Sequence, residues 1–130
     1  MNKRKFGIIG EKIAQGYLLN KEYKILDTNF YTKRGEIDIV AQKDRCIVFV
    51  EVKTRSNFKY GTPAMAVNYT KKKHIKSAAK VFLQLNRLYG CDVRFDVIEV
   101  LIKDGKCKIN QIEGIMWKQL AKNAKNSYNI

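Results

Sequence analysis

The segment Cys46–Lys53 limits the fold more than any other part of the chain. It reads CIVFVEVK, so β-branched and aromatic residues occupy both alternating sets of positions. Successive side chains of a strand point to opposite faces of a sheet, and a run that is apolar on both faces is typical of a strand covered on both sides. We therefore predict that this segment is the central strand of a sheet.

The other elements follow from periodicity and turn signals. Apolar residues at three- and four-residue steps predict helices over residues 6–20 and 70–89, the second stopped by Gly90. Alternation and turn residues predict strands over residues 23–31, 36–42, 94–102 and 107–112. Within these, we expect an irregularity at Asp27-Thr28-Asn29 and a hairpin turn at Asp104-Gly105. The order is α-β-β-β-α-β-β, which predicts a mixed α/β domain, and a short terminal helix is expected over residues 117–124.

Length and hydrophobicity predict one domain. With 130 residues, of which 45% are hydrophobic, the chain can build one core but not two. We expect a single domain over residues 1–130, with a basic C-terminal tail that frays from about residue 118. No apolar run approaches the roughly 20 residues of a membrane-spanning helix. The apolar stretch after Lys3-Arg4-Lys5 is too short for a signal peptide, so we expect a cytoplasmic protein with no membrane partner.

The charge is strongly unbalanced and indicates a polyanionic partner. Lys and Arg number 26 against 12 Asp and Glu, which gives a formal net charge of +14. The three cysteines form no CxxC pair, and the single histidine, His74, lies in a run of lysines. This composition argues against a disulfide framework, a zinc site and Ser-His-Asp chemistry. Arg94 and Asp96 share a strand face, and we expect them to form an internal ion pair that supports the sheet.

Acidic residues inside otherwise apolar strands are the best candidates for chemistry. A tight hairpin centred on Asp44-Arg45 places Asp38 opposite Glu51, with β-carbons about 5 Å apart. Two carboxylates so close repel each other unless a cation or a proton lies between them, and such oxygen pairs suit Mg²⁺ or Mn²⁺. Alternation places Lys53 on the same face as Glu51. An acid pair and an amine would then surround one point.

The interpretation depends on the hairpin register. A one-residue slip moves Asp38 to the other face relative to Glu51. The same register also places Glu36 opposite Lys53. An ion pair between those two residues, with the other two acids at a solvated sheet end, is the alternative explanation of the pattern, and spacing alone leaves both open.

Five motifs, in order, resemble a known family. They are Gly10-Glu11-x-x-Ala14, Gly35-Glu36-Ile37-Asp38, Val50-Glu51-Val52-Lys53-x-Arg55, Gly61-x-Pro63 and Arg94-Phe95-Asp96-Val97. From about Gly7 to Ile112 the chain resembles the YraN-type family of small bacterial proteins. That family is similar to the Holliday-junction resolvase branch of the restriction-endonuclease-like PD-(D/E)xK superfamily. Ile37 replaces the usual Pro, and the acid that follows it is retained.

The resemblance implies a fold and an activity. The fold would be a restriction-endonuclease-like αβββαβ core, with a mixed central sheet flanked by helices. The activity would be Mg²⁺- or Mn²⁺-dependent hydrolysis of phosphodiester bonds in DNA, with branched or structured DNA as a candidate substrate. Asp38 and Glu51 would bind the metal, Lys53 would be the catalytic lysine, and Glu11 would be an additional catalytic acid and metal ligand. Because a four-way junction has two symmetric cleavage points, a homodimer is also implied.

Basic residues near these motifs are candidate phosphate contacts. They are Arg55 beyond the central strand and Lys71, Lys72, Lys73 and Lys76 on the second helix. A solvated basic face is the alternative explanation. We expect the partner to be DNA rather than RNA. A non-catalytic nucleic-acid-binding module that retains the nuclease fold is the alternative function, and it would need the basic residues but not the acids and Lys53 together.

Overall fold

The structure, a computed structural model, describes residues 2–57 and 69–114. In chain order its elements are α1 (Lys3–Asn20), β1 (Lys24–Tyr31), β2 (Glu36–Lys43), β3 (Cys46–Arg55), α2 (Tyr69–Leu85), β4 (Asp92–Lys103) and β5 (Lys106–Ile112). The Gly61-x-Pro63 motif, the helix expected over residues 117–124 and the basic tail lie outside the described residues. No helix in the described part of the chain is long and apolar enough to cross a membrane.

The five strands form one mixed sheet with β3 at its centre. The spatial order is β1-β2-β3-β4-β5. All neighbouring strands are antiparallel except β3 and β4, which run parallel. Parallel neighbours need a crossover connection, and α2 lies in the segment that joins these two strands. The predicted mixed α/β class, the αβββαβ order and the central position of Cys46–Lys53 are confirmed.

Each face of the sheet packs against one helix. On the α2 face, Phe82 contacts Phe49 edge-on, with ring centroids 5.9 Å apart. On the α1 face, Leu18 belongs to the same buried cluster as Val48. A fully buried side chain of this kind contributes roughly 1.5–3 kcal/mol. The adjacent residues Val48 and Phe49 therefore stabilise opposite layers, which explains why β3 is apolar at both alternating sets of positions.

The helices begin and end at positions that periodicity did not locate. The Asn2 side chain accepts a hydrogen bond from Lys5 N at 2.8 Å, so α1 begins at Lys3 rather than at Phe6. The second helix ends at Leu85 rather than Tyr89. Arg87 adopts a left-handed conformation with φ 50°, and the amide of the following residue, Leu88, donates to the carbonyl of Leu83 at 2.9 Å. This is a Schellman cap, and it stops the helix before Gly90.

The first strand contains the predicted irregularity. The register between β1 and β2 shifts between Ile25 and Asp27, and Asn29 adopts a left-handed conformation with φ 51°. Asparagine tolerates this conformation better than most residues. The irregularity turns Asn29 out of the regular alternation of β1, and it places the side chain beside acids from two other elements.

Candidate active site

The β2–β3 hairpin adopts the predicted register. Asp44 has φ 54° at the turn, and the paired residues run from Lys43 opposite Cys46 to Ile39 opposite Val50. Backbone pairing between the strands ends at Ile39. Asp38 precedes Ile39 and so lies one residue farther from the turn. Its carboxylate accepts a hydrogen bond from the Val52 amide at 2.8 Å. The Asp38 carboxylate therefore accepts the hydrogen bond that a backbone carbonyl of β2 would accept if the strand pairing continued.

The course of β2 also changes at Asp38. Ile37 packs in the cluster on the α2 face, whereas Ile39 packs in the cluster on the α1 face. On a regular strand, residues two positions apart lie on the same face of the sheet. The expected pairing of Glu36 with Lys53 is therefore wrong: the ladder ends before it, because Asp38 binds the β3 backbone. Lys53 Nζ instead lies 3.7 Å from Glu51 Oε1.

Asp38 and Glu51 form a close and poorly solvated acidic pair. Glu51 is only 9% exposed. Burial, and then the charge of Glu51, raises the pKa of Asp38 to about 8, against the opposing effect of the hydrogen bond from Val52. The acids do not lie at a solvated sheet end, as the alternative explanation required. A carboxylate in this environment needs a proton or a cation beside it.

Two lysines approach Glu51. Lys53 reaches it along β3, and burial followed by repulsion from Lys71 lowers the pKa of Lys53. Lys71 reaches it from α2, with Nζ 2.5 Å from Glu51 Oε1. Sequence analysis placed Lys71 only among the phosphate contacts, because helical spacing does not reveal which lysine of α2 faces β3. Its neighbours Lys72 and Lys76 lie close enough to repel each other, and burial and this repulsion lower the pKa of Lys76.

Glu11, carried by α1, lies near the other acids of the site. Burial, and then the charges of Glu36 and Glu51, raises the pKa of Glu11. With its amide nitrogen turned toward the acids, Asn29 donates to Glu11 Oε2 and Glu36 Oε1, each at 3.2 Å. Sequence analysis missed Asn29 as part of the site. The sequence feature that could have identified Asn29 is its place in the irregular segment Asp27-Thr28-Asn29.

Two close approaches bring the helices to the site. A Cβ added at Gly10 of α1 would lie 1.8 Å from Thr54 Oγ1, so the helix backbone lies against the end of β3. A Cβ added at Gly35 would lie 2.7 Å from the carbonyl oxygen of His74 in α2. Any larger residue at these positions would push a helix outward. These contacts explain why glycine stands at both positions.

The described side chains fit a metal bound through two carboxylates. Within residues 2–57 and 69–114, no three His, Cys, Asp or Glu side chains come together as a metal-ligand group. Glu11 as a third ligand stays a prediction; its charge reaches Asp38, whose pKa is raised chiefly by burial and Glu51. Mg²⁺ usually keeps several waters and binds through one or two carboxylates together with substrate phosphates. The donor set of Asp38 and Glu51 is sufficient for that kind of site.

Two cavities lie beside the C-terminal half of β3. We call the cavity of about 390 Å³ on the α2 side the acidic cavity, and its lining includes Glu36, Asp38, Glu51, Lys71 and His74. We call the cavity of about 500 Å³ at the start of α1 the N-terminal cavity, and its lining includes Lys3, Phe6, Gly7, Glu11, Lys53 and Arg55. The predicted site residues therefore divide between the cavities: Asp38, Glu51 and Lys71 line the first, and Glu11, Lys53 and Arg55 line the second.

Arg94 and Asp96 lie outside this site, as predicted. Asp96 is 1% exposed and accepts two hydrogen bonds from Arg94, from Nε and Nη2, each at 2.9 Å. Gln111 Nε2 also donates to Asp96, at 2.8 Å, and Arg94 donates to the Tyr23 hydroxyl at 2.6 Å. Through these hydrogen bonds, the bidentate Arg94–Asp96 pair links β4 to Gln111 of β5 and to Tyr23, which precedes β1.

Fold and site together define a mixed α/β protein whose central hairpin carries a buried Asp–Glu pair beside a lysine. The profile of the family described as Uncharacterised protein family UPF0102 matches residues 10–100. The chain belongs to this family, which is the YraN-type family that its motifs resemble.

Two bacterial relatives match the chain along nearly their whole length. A UPF0102 protein of Alkaliphilus oremlandii (strain OhILAs) is 52% identical over 115 residues, which cover 87% of this chain and 97% of the relative. A UPF0102 protein of Syntrophomonas wolfei is 46% identical over 109 residues, covering 84% of this chain and 95% of the relative. Their shared name is that of the family and states no activity.

One solved structure shows a distant likeness. The protein described as "Crystal structure of SSO0001" aligns with 95% of this chain, at 18% identity and a TM-score of 0.33. The chain spans 59% of that protein. A likeness this weak does not bear on the activity.

Proposed function

We propose that this protein is a metal-dependent nuclease that hydrolyses phosphodiester bonds in DNA, including branched or structured DNA. The observation that carries the proposal is the buried pair of Asp38 and Glu51 with Lys53 beside it. Two desolvated carboxylates without a bound cation are costly, so their placement together on a central hairpin calls for a binding role. The net charge of +14 around this small acidic group fits a polyanionic substrate.

Each side chain has a specific part in this mechanism. Mg²⁺ or Mn²⁺ held by Asp38 and Glu51 would supply Lewis-acid chemistry by polarising the scissile phosphate and activating water. The amide of Val52 orients Asp38 by its hydrogen bond. The Lys53 ammonium stabilises negative charge that develops on the phosphoryl oxygens during attack by water. Glu11 of α1, whose charge reaches Asp38, would be the additional catalytic acid and a third metal ligand.

The non-catalytic binding module is the second candidate, and one contact favours it. Lys71 of α2 lies 2.5 Å from Glu51 Oε1, so the chain supplies its own cation to the acidic pair. In a binding module this contact would serve to neutralise the acids and to hold α2 against β3. In a nuclease, Lys71 would move to a phosphate when the metal binds.

Cleavage assays with matched variants separate the two candidates. Purified protein is incubated with labelled single-stranded, duplex, flapped and four-way-junction DNA, and with RNA, in Mg²⁺, Mn²⁺ or EDTA. We expect metal-dependent cleavage of DNA that is abolished in Glu51→Gln and Lys53→Ala. The controls are Asp27→Asn on β1 and Lys106→Ala on β5, which change exposed residues outside the site. Binding without cleavage under every condition would establish the binding module instead. Site variants that cut like wild type would show that the assigned site is not the one that cleaves.

A further inference from the structure

We propose that the N-terminal cavity binds one unpaired nucleotide of a DNA strand, next to the phosphate held at Glu51 and Lys53. The proposal rests on the proposed function for the position of that phosphate. The cavity has a volume of about 500 Å³ and lies between the first two turns of α1 and the end of β3. This volume falls within the range of small-molecule sites.

The cavity adjoins the candidate active site directly. Lys53 lines the N-terminal cavity, whereas Glu51, two residues earlier on the same strand, lines the acidic cavity. Glu11 also lines the N-terminal cavity, so the cavity reaches from α1 to the acids of the site. A DNA strand whose phosphate reaches Glu51 and Lys53 can therefore place its neighbouring nucleotide against α1.

The lining combines an aromatic ring with cations. Phe6 is half-buried and lines the cavity, which leaves part of its ring accessible. Lys3 and Arg55 lie on the same lining, one from each wall. A base that stacks on an aromatic ring while its phosphates meet basic side chains is the usual arrangement in proteins that bind single strands.

The charge of α1 independently favours an anion here. The helix begins Lys3-Arg4-Lys5 and has no acidic residue in its first turn. Cations at a helix N-terminus are disfavoured by the positive end of the helix dipole. A phosphate bound beside this turn would offset that repulsion, whereas an apolar ligand would not.

The ligand must be unpaired for this contact. A base within a duplex is stacked on its neighbours and presents only its edges in the grooves. Phe6 can stack on a base only when the base face is free. The preferred ligand is therefore DNA with single-stranded character, such as a flap or a frayed end.

Gly7 allows the cavity to be filled without disturbing the fold. It lies on the cavity lining, and a Cβ added there would meet nothing within 4 Å. Gly16 lies on the same helix, is exposed and also has nothing within 4 Å of an added Cβ, but it does not line the cavity. Gly7→Leu and Gly16→Leu are thus matched variants, and both raise the helix propensity of α1.

The test is equilibrium binding in EDTA, which requires no cleavage. Fluorescence anisotropy compares a labelled single-stranded oligonucleotide with a labelled duplex for wild type and both variants. Stacking contributes enough per base that we expect Gly7→Leu to weaken single-strand binding by about ten-fold or more. Duplex binding should stay within about two-fold, since phosphate contacts elsewhere dominate it. Gly16→Leu should bind both DNAs like wild type.

A second pair of variants guards against misfolding or an indirect effect. Phe6→Ala should weaken single-strand binding as Gly7→Leu does. Phe6→Trp retains a stacking surface and should bind single strands like wild type. Unchanged single-strand binding in both Gly7→Leu and Phe6→Ala would overturn the proposal. An equal loss for single strand and duplex would also overturn it, because the cavity would then contribute only general phosphate contacts. Because the experiment measures binding and not catalysis, its outcome does not depend on whether the protein cuts DNA.

Discussion

At the scale of single residues, Asp38 combines a structural and a chemical role. Its carboxylate accepts a hydrogen bond from Val52 N, and the same carboxylate faces Glu51 with its pKa raised to about 8. The hydrogen bond holds the group in position, while burial and repulsion make the charged form costly. A cation between the two acids would remove that cost. Replacing Asp38 should therefore change the effect of metal on stability as well as on activity.

Metal binding should raise the thermal stability of the wild-type protein and not that of Asp38→Asn. The asparagine side chain retains an oxygen for Val52 N but loses the charge that binds a cation. At a free Mn²⁺ concentration of 100 times the dissociation constant, binding to the folded state stabilises it by about 2.7 kcal/mol. Differential scanning fluorimetry with and without MnCl₂ measures the shift in Tm.

The control for this experiment is Asp27→Asn, which removes an exposed carboxylate from β1. It should keep the wild-type response to Mn²⁺. Equal shifts in wild type and Asp38→Asn would contradict the assignment of Asp38 as a metal ligand, since the stabilisation would then arise elsewhere on the chain.

At the scale of elements, both helices end in left-handed caps made by residues other than glycine. Glu22 follows α1 with φ 68°, and Arg87 follows α2 with φ 50°. In each cap the next amide bonds back to the helix, from Tyr23 to Leu18 and from Leu88 to Leu83, both at 2.9 Å. The caps place Tyr23 beside the start of β1 and direct the chain from α2 toward β4. A residue with a Cβ pays a steric cost in this conformation.

Arg87→Gly should therefore stabilise the protein, by about 1 kcal/mol. The same replacement inside the helix, Lys80→Gly, should destabilise it by about 1 kcal/mol, because glycine there only adds backbone entropy to the unfolded chain. Urea unfolding monitored by circular dichroism measures both changes. A loss of stability in Arg87→Gly comparable to that of Lys80→Gly would contradict the Schellman cap as the end of α2.

At the scale of the whole molecule, charge is separated into a small acidic interior and a basic exterior. The net charge is +14, yet Asp38 and Glu51 lie desolvated on the central hairpin. On α2, burial and then the charges of Lys72 and Lys80 lower the pKa of Lys76, so this face carries like charges that repel one another. A polyanion lying on the face would relieve the repulsion, which would make binding strongly dependent on salt.

Binding of duplex DNA should weaken steeply with added salt, with a slope that reports the lysines of α2. If Lys76 contacts a phosphate, Lys76→Ala should reduce the magnitude of the slope of log K against log salt by about 1. Lys106→Ala, at the start of the exposed edge strand β5, should leave the slope unchanged. Titrations from about 50 to 200 mM salt are sufficient to distinguish these slopes. An unchanged slope in Lys76→Ala would indicate that α2 carries a solvated basic face.

The sequence by itself determined the features that local patterns encode. Apolar residues on both faces identified β3 as the central strand, and the turn at Asp44-Arg45 set the register that brings Asp38 to Glu51. Motif order identified the family. These features depend on residues close together in the chain, where strand alternation and turn geometry limit the alternatives.

Only the tertiary structure decided how distant elements meet at the site. It placed Lys71 on Glu51, brought Asn29 to Glu11, and formed the N-terminal cavity beside Phe6. Helical periodicity shows which residues share a face, but it does not show which residue meets a given strand. That choice depends on how closely the helix backbones approach the sheet, and here Gly10 and Gly35 allow the approach.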